Sequence, residues 1–301
     1  MRALVTGAGG FVGGQLLRKL GALAVPTLAF SRREVVAAKH RRVVQGDCVD
    51  AALLRQVCEE FRPTVLFHCA MTSAHPRSVL EEQEMLRTAL LGTSSALDAA
   101  RWSGCSRFVF TGSFLCYQPS DTPLDEAAKV APQLLRGVAK AGASMLVQCA
   151  ARDSAAGPAL STVELRLFSV YGRGEGGHRL IPTLVRAALD GSPVRLNPLP
   201  RHDWVHIDDV TDALLAAAAT HVPPGSIVNI ASGIAVSNAD VLSVVETAIG
   251  RRIVRDEMPY PPSPADASTW CASIDRAALL LDWRPTVSLH DGIRRSVHSY
   301  D

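Results

Sequence analysis

The chain has no apolar run long enough for a membrane-spanning helix, which needs about 20 mostly apolar residues. It also has little excess charge, since 31 lysine and arginine residues against 29 acidic residues give a formal net charge of +2. No strong field therefore favours nucleic acid or a membrane surface as a partner. Its start, MRALVTGAGG, lacks the layout of a secretory signal, so we expect a cytoplasmic protein.

Metal-site and hydrolase patterns are also missing. The seven cysteines show no Cys-x-x-Cys pair, and several lie in apolar stretches such as FHCA, which favours reduced, mostly buried thiols. No GxSxG motif supports a hydrolase. His206, Asp208 and Asp209 resemble a metal cluster, but we expect one of the two acids to cap the following helix instead, and no metal to bind.

Strand-like and helix-like segments alternate along the first half of the chain. Short apolar stretches end near residues 7, 30, 47, 70, 113 and 168, and helical patterns separate most of them. Continuously apolar strands between helices are typical of a parallel sheet covered on both faces. We therefore predict an α/β protein with a doubly wound parallel sheet of the Rossmann type, in which ligands bind beyond the carboxyl ends of the strands.

A glycine-rich turn joins the first strand to the first helix. The segment GAGGFVG places Gly7, Gly10 and Gly13 in a GxxGxxG pattern. Such glycines permit a tight turn and close backbone approach to a diphosphate, while the free N–H groups of the first helical turn face the anion. The pattern predicts dinucleotide binding; a turn kept only for helix packing is the alternative.

The residues after the second strand bear on which dinucleotide binds. An NAD site usually has an acid there for the ribose 2′-hydroxyl, whereas this chain has Ser31, Arg32 and Arg33. A hydroxyl and two guanidiniums suit a 2′-phosphate, so we predict NADP in preference to NAD. Asp47 then either contacts the adenine edge or caps the helix that starts near Asp50.

The amino-acid composition changes after the sixth strand, where glycine- and proline-rich stretches begin. We predict a dinucleotide-binding Rossmann domain over residues 1–168, with 203–231 returning to it. Residues 169–202 and 232–301 then form a smaller substrate-binding lobe. The segments HDWVHIDDV and SIVNIAS are expected to rejoin the sheet.

Several segments together resemble the extended short-chain dehydrogenase/reductase family, which contains nucleotide-sugar epimerases, dehydratases and ketoreductases. They are TGAGGFVG, FHCAMTS, FVFTGS, LRLFSVYGRG, HDWVHIDDV and, near the C-terminus, LLDWRP. The resemblance covers nearly the whole chain and implies an NAD(P)-binding enzyme. The cofactor contacts that we expect are Gly7, Gly10, Phe11, Val12, Gly13, Ser31, Arg32, Asp47, Cys48, Ala70, Met71, Thr111, Lys140 and Phe168.

The resemblance also implies a catalytic group, and one position departs from the family. The serine that contacts the reacting oxygen falls on Ser113, and the lysine that binds the nicotinamide ribose falls on Lys140. The proton-exchanging tyrosine of the Tyr-x-x-x-Lys motif is replaced by Arg136. A guanidinium has no acceptor and a pKa above about 12, so Arg136 can stabilise an oxyanion or grip an anion but cannot act as an ordinary acid or base.

A different group would then have to supply the proton. We consider His75, Cys116 and Tyr117, all in loops that should border the nicotinamide. His75 ranks first, because imidazole titrates near neutral pH. The alternatives are that His75 faces solvent or caps a helix and that Tyr117 packs against the sheet edge.

Several residues that usually contact the nucleotide sugar in this family are replaced. Positions where the family often has asparagine hold Ala89 and Ser169, and His202 stands where it has arginine. These departures suggest an altered substrate, an altered reaction or a site without chemistry.

A basic loop precedes the helix that is expected to begin near Leu180. It contains Arg173, His178 and Arg179, which suits an anionic substrate such as a sugar diphosphate or is an ordinary charged loop. We assign Ser169, Arg173, His178 and His202 to substrate binding.

Three functions are compatible with these residues. The first is an NAD(P)-dependent epimerase, dehydratase or ketoreductase acting on a nucleotide sugar or related secondary metabolite. The second is a non-redox lyase, isomerase or cyclase in which Arg136 stabilises an anion. The third is a non-catalytic dinucleotide-binding protein.

The helices predicted over 78–102 and 132–152 carry more apolar surface than the sheet requires. The resemblance implies that such helices pair between subunits in a four-helix bundle. We therefore expect a homodimer; a monomer with an apolar surface is the alternative.

Overall fold

The computed structural model describes residues 1–71, 76–152, 160–256 and 269–297. Its main sheet is built from β1 (Ala3–Thr6), β2 (Thr27–Ser31), β3 (Arg41–Gln45), β4 (Val65–His68), β5 (Arg107–Ser113), β6 (Ser161–Leu167) and β9 (Ser226–Ile230). All seven strands are parallel and lie in the order β3-β2-β1-β4-β5-β6-β9. The predicted fold class is confirmed.

Helices cover both faces of this sheet. The helices of the described residues are α1 (Phe11–Ala22), α2 (Ala51–Phe61), α3 (Val79–Trp102), α4 (Leu135–Arg152), α5 (Leu180–Asp190), α6 (Ile207–Ala219), α7 (Asn238–Ile249), α8 (Asp275–Leu281) and α9 (Leu289–Ser296). Of these, α5, α7 and α9 pack together against a second, smaller sheet. Successive side chains of a strand point to opposite faces, so Val5 packs with α1 and α6 whereas Leu4 packs with α2, α3 and α4. None of the helices in the described ranges combines the length and apolar character needed to cross a bilayer.

The strand order reverses between β1 and β4, which opens a crevice beyond their carboxyl ends. Thr6 and His68 end these two strands side by side, with Thr6 Oγ1 and His68 Nδ1 2.7 Å apart. Burial, assisted by the charge of Lys140, lowers the pKa of His68 to about 3, so its ring is neutral. The floor of the crevice between β1 and β4 is therefore polar but uncharged at Thr6 and His68.

A second, three-stranded sheet has the order β10-β8-β7 and consists of β7 (Ser169–Tyr171), β8 (Arg201–His206) and β10 (Ala235–Ser237). The expectation that two later segments rejoin the main sheet is confirmed for β9 and wrong for β8. β8 pairs with β10 through Val236 and His202 and with β7 through Ser169 and Trp204. The residues of a strand do not by themselves specify its pairing partner, so the sequence did not determine which sheet β8 joins.

Candidate active site

The glycine turn after β1 can hold only glycine at two positions. Gly7 has φ +66°, and a Cβ there would lie 2.6 Å from the Ala70 amide nitrogen. A Cβ on Gly13 would overlap the Gly7 carbonyl oxygen. Helix α1 therefore starts directly against the end of β1, and Gly7 lies against the end of β4.

The first turn of α1 is open to an anion. Its N-cap is Gly10, no side chain caps it, and its first turn has no acidic residue. The unpaired N–H groups and the positive end of the helix dipole are then available to a diphosphate. This arrangement fits the pyrophosphate of a nicotinamide dinucleotide.

A cavity of about 140 Å³ extends from this turn across the ends of β2, β3 and β4. Predicted cofactor residues that line it are Gly7, Gly10, Ser31, Arg32, Asp47, Cys48, Ala70 and Met71. Gly13, Phe11 and Val12 belong to the first turn of α1 beside it. Thr111 and Phe168 do not line it: Phe168 is buried against Phe114, with ring centroids 5.1 Å apart.

The polar groups at the far end of this cavity differ in how they are paired. Ser31 Oγ accepts hydrogen bonds from the backbone N–H groups of Gly9 (3.2 Å) and Arg33 (3.1 Å), which leaves its own proton to donate. The Arg32 guanidinium pairs with Glu84 and, at 3.7 Å, with Asp47. Among the described residues, Arg33 has no ion-pair partner, so its charge is the more available.

Of the two roles considered for Asp47, helix capping is wrong. Asp50 caps α2 by accepting from the Leu53 N–H at 3.0 Å. Asp47 instead accepts from the Val49 N–H and lines the cavity. The contact with the adenine edge stays a prediction.

Lys140 lies in the second turn of α4, at the carboxyl end of β5. Its Nζ donates to the Thr111 carbonyl oxygen and lies 4.9 Å from the centre of the Phe110 ring. Burial lowers the pKa of Lys140 to about 8, and the charge of Arg136, one turn away on the same helix face, contributes to the lowering. The two cations therefore repel, and a bound anion would relieve the repulsion.

Helix α4 is held close to the turn after β5. A Cβ on Gly137 would overlap the Leu115 carbonyl oxygen, so only glycine allows this approach. Ser113 ends β5, and its Oγ accepts from the Leu115 N–H at 3.2 Å. The structure thus brings Ser113, Arg136 and Lys140 to one edge of the sheet.

A second cavity, of about 490 Å³, opens between this edge and the small sheet. Its lining includes the cations Arg136, Arg179 and Arg195 and the imidazoles of His178 and His202, and none of the described residues that line it is an aspartate or glutamate. The field inside it favours an anionic ligand.

Buried polar atoms without partners concentrate in the same cavity. In the described part of the chain seven buried side-chain nitrogen or oxygen atoms lack a hydrogen bond. Four of them, Arg136 Nε, His202 Nδ1, Trp204 Nε1 and Asn238 Oδ1, belong to residues that line this cavity. Leaving such atoms unpaired is costly, so water or a polar ligand in the cavity has to supply their partners.

The predicted substrate residues divide between inside and outside this cavity. Ser169, His178 and His202 line it. Arg173 does not: it is exposed, and its carbonyl oxygen accepts from Gln15 on α1. Burial and the charge of Arg179 lower the pKa of His202 to about 4, so its ring is neutral near pH 7.

Other lining residues gave no signal in the sequence. They are Arg195, Asn197, Trp204, Asn238 and Trp270. They come from separate segments that meet only in the folded chain, and Trp204, although it lies in the segment HDWVHIDDV, was not assigned to substrate binding from the sequence. Of the remaining positions noted in the sequence, Ala89 is buried in α3.

Two of the candidate proton donors are sealed in the core. Cys116 and Tyr117 are 1% and 0% exposed, and the Tyr117 hydroxyl donates to Asn229 Oδ1 at 2.8 Å. Burial raises the pKa of Cys116 to about 11 and also raises that of Tyr117. A role for either one in proton exchange is not supported, and His75 lies outside the described residues.

Comparison with known proteins agrees with this geometry. The model of the NAD dependent epimerase/dehydratase family matches residues 3–231. The UDP-glucose 4-epimerase of Azospirillum brasilense is 27% identical over 100% of this chain and 92% of its own length. The dTDP-glucose 4,6-dehydratase of Streptomyces griseus is 27% identical over 99% of this chain and 93% of its own length.

A solved structure with the same fold is MoeE5 in complex with UDP-glucuronic acid and NAD. Its TM-score is 0.91 at 27% identity, and the match covers 99% of this chain and 98% of that one. The dinucleotide there is NAD, so the comparison gives no support to the predicted preference for NADP. The family model matches most of this chain, and the glycine turn and the parallel sheet agree with it. This chain therefore belongs to the NAD dependent epimerase/dehydratase family.

Proposed function

We propose that this chain is an NAD(P)-dependent enzyme that epimerises, dehydrates or reduces the sugar of a nucleotide sugar or of a related secondary metabolite. The observation that carries the proposal is the second cavity, whose described lining is rich in cations, contains no acid and includes four unpartnered buried polar atoms. It opens at the sheet edge that holds Ser113 and Lys140. A sugar offers hydroxyl groups to the unpaired atoms, and a diphosphate offers charge to the arginines.

The two cavities are formed by different parts of the chain, to which we assign different ligands. Residues 1–168, joined by β9, hold the dinucleotide, and residues 169–202 and 232–301 supply most of the substrate cavity. When bound, the nicotinamide ring exchanges a hydride with the substrate. In this proposal the Lys140 ammonium donates to the nicotinamide ribose, and the Ser113 hydroxyl donates to the reacting oxygen.

Arg136 keeps the role of an anion-stabilising group. It cannot exchange a proton at neutral pH, because the guanidinium remains protonated and has no acceptor. His75 stays the leading prediction for the proton-exchanging group. The non-redox and non-catalytic alternatives are not favoured, because the matching relatives are named as epimerases and dehydratases.

Direct turnover tests the proposal. The full chain is incubated with NAD or NADP and with UDP-glucose, UDP-glucuronic acid or dTDP-glucose, and the products are separated by chromatography and identified by NMR. We expect at least one nucleotide sugar to be converted, and only when a dinucleotide is present. If the chain binds the dinucleotide but neither binds nor converts any of the three sugars, a non-catalytic dinucleotide-binding protein becomes the better description.

We further propose that NADP binds more tightly than NAD. No acid follows β2, and Arg33 lines the cofactor cavity without an ion-pair partner among the described residues. Replacing Arg33 by serine should weaken NADP binding about tenfold and NAD binding less than about twofold, because only NADP presents a 2′-phosphate to the guanidinium. Titration calorimetry with both dinucleotides measures the two ratios.

The matched control for this prediction is Arg276→Ser. Arg276 is an exposed arginine of α8 that does not line the cofactor cavity. It should change neither affinity. Tighter binding of NAD by the unaltered chain, or an equal loss for both dinucleotides in Arg33→Ser, would contradict the proposed preference.

We propose a homodimer formed through α3 and α4. Large apolar side chains remain exposed on these two helices, among them Leu91 (56%), Val138 (47%) and Met145 (61%). Exposed apolar groups of this size on paired helices favour a second copy of the same surface. Sedimentation equilibrium would then report twice the chain mass of 32.1 kDa.

We also propose that the protein works in the cytoplasm. All seven cysteines are free thiols, and four of them are buried beside apolar side chains of the core: Cys48, Cys58, Cys105 and Cys116. A reducing compartment maintains such thiols.

A further inference from the structure

Arg136 is held at one wall of the second cavity by its neighbours in α4. Gly137 sits against the Leu115 carbonyl oxygen, and Lys140, one turn later, is bonded to the Thr111 carbonyl oxygen. These two contacts fix the first turns of α4 against the end of β5. Arg136 lines the cavity together with Phe114 and Leu115, the two residues that follow Ser113 at the end of β5.

The charge of Arg136 is not neutralised by the protein. Arg179 pairs with Glu175 at 3.4 Å and Arg195 pairs with Asp256 at 3.0 Å, whereas Arg136 has no ion pair with any described residue. Its Nε is buried without a hydrogen bond. Burial, together with the nearby charge of Arg179, lowers the pKa of Arg136, so the guanidinium sits in surroundings that disfavour its charge.

The start of helix α5 forms another wall of the same cavity. Helix α5 begins there with Arg179 as its N-cap, has no side-chain cap and has no acid in its first turn. Arg179, Leu180 and Thr183 from this start all line the cavity. Free N–H groups beside a guanidinium suit a phosphate oxygen, so the diphosphate does not need Arg136.

We propose that Arg136 binds a carboxylate on the sugar, so that the preferred substrate class is a nucleotide-linked sugar acid. This inference rests on the proposed function and specifies its substrate. A neutral sugar would leave a permanent, partly buried cation facing hydroxyl groups only, which is unfavourable. A carboxylate presents two oxygens to the guanidinium fork and also relieves the repulsion between Arg136, Arg179 and Lys140.

Two nucleotide sugars that differ only in this group test the inference. UDP-glucuronic acid carries a carboxylate where UDP-glucose carries a hydroxymethyl group. Their Kd values are measured by calorimetry on the full chain saturated with dinucleotide. The unaltered chain should bind UDP-glucuronic acid at least about tenfold more tightly than UDP-glucose.

Three variants separate the carboxylate from the diphosphate. Arg136→Met should weaken UDP-glucuronic acid about 30-fold and UDP-glucose less than about threefold, which removes the preference. Arg136→Lys keeps the positive charge but loses the paired N–H donors of the guanidinium. It should therefore keep part of the preference for UDP-glucuronic acid over UDP-glucose. Arg179→Met should weaken both ligands equally. Thermal unfolding monitored by circular dichroism verifies that each variant is folded.

The outcomes distinguish this inference from the function on which it rests. Binding of both UDP-sugars with no preference, or an equal loss for both in Arg136→Met, would overturn the sugar-acid assignment and leave the proposed function intact. Failure of the unaltered chain to bind UDP-glucose, UDP-glucuronic acid or dTDP-glucose in the presence of dinucleotide would overturn both.

Discussion

A Gly13→Ala variant is expected to lose nicotinamide dinucleotide binding, with Kd raised at least about 100-fold. The added Cβ would overlap the Gly7 carbonyl oxygen, and the backbone atoms there cannot move aside as the end of a side chain can. Helix α1 would have to shift away from the end of β1. Its first N–H groups, which face the diphosphate site, would shift with it. Titration calorimetry with NAD and NADP measures the loss.

The adjacent glycine provides a matched control. A Cβ on Gly14 would lie 3.5 Å from the Ala8 carbonyl oxygen, an ordinary contact, so Gly14→Ala should keep both affinities within about twofold. Circular dichroism separates a displaced helix from a failure to fold. If Gly13→Ala is folded and binds the dinucleotide as tightly as the unaltered chain does, the diphosphate does not lie at this turn.

A Glu164→Gln variant is expected to lower the free energy of unfolding by about 3 kcal/mol. Glu164 and Arg166 are neighbours on β6, and their side chains are 1% and 4% exposed. Arg166 Nε donates to Glu164 Oε1 at 3.1 Å, and Ser144 on α4 donates to the other carboxylate oxygen. Removal of the carboxylate charge leaves a buried guanidinium without its counter-charge.

The effect should extend beyond this ion pair. The Arg166 guanidinium lies 4.6 Å from the centre of the Tyr117 ring, and the Tyr117 hydroxyl donates to Asn229 on β9. Glu164 is also one of the charges that support the Lys140 ammonium. Denaturant unfolding of the apo chain gives the stability change, and dinucleotide binding reports whether Lys140 is disturbed as well.

A surface pair supplies the comparison for the same substitution. Glu60 pairs with Arg42 at 2.6 Å, but both side chains are about half exposed to solvent. Water screens this pair, so Glu60→Gln should leave the unfolding midpoint nearly unchanged. Equal effects of Glu60→Gln and Glu164→Gln would mean that the buried pair contributes no more than a solvated one.

The glycine turn of the cofactor site could be predicted from the sequence, because its residues are close together in the chain. Gly7, Gly10 and Gly13 lie within one short segment, and the end of a strand followed by the start of a helix dictates their geometry. The replacement of the expected tyrosine by Arg136 was likewise visible, because α4 fixes its spacing from Lys140. These are properties of neighbours in the chain, which backbone sterics and helix periodicity determine.

The sequence did not predict where Arg173 lies or which sheet β8 joins. Arg173 lies in the same basic loop as His178, yet the fold directs it toward Gln15 of α1 and outside the substrate cavity. β8 mixes polar and apolar residues in the sequence RHDWVH, which does not specify its sheet, and its pairing with β7 and β10 decided where Trp204 and His202 point. A strand pattern specifies which side chains share a face, but its partner strand decides what that face meets.

The sequence by itself therefore determined the parallel sheet, the glycine turn and the cation at position 136, because each follows from residues close together in the chain. Only the tertiary structure decided that Arg136, Trp204 and Asn238 share one cavity with their polar atoms unpaired. That grouping joins α4, the small sheet and α7, segments far apart in sequence. Whether a buried polar atom is satisfied depends on everything packed around it, and so it is defined only once the chain has folded.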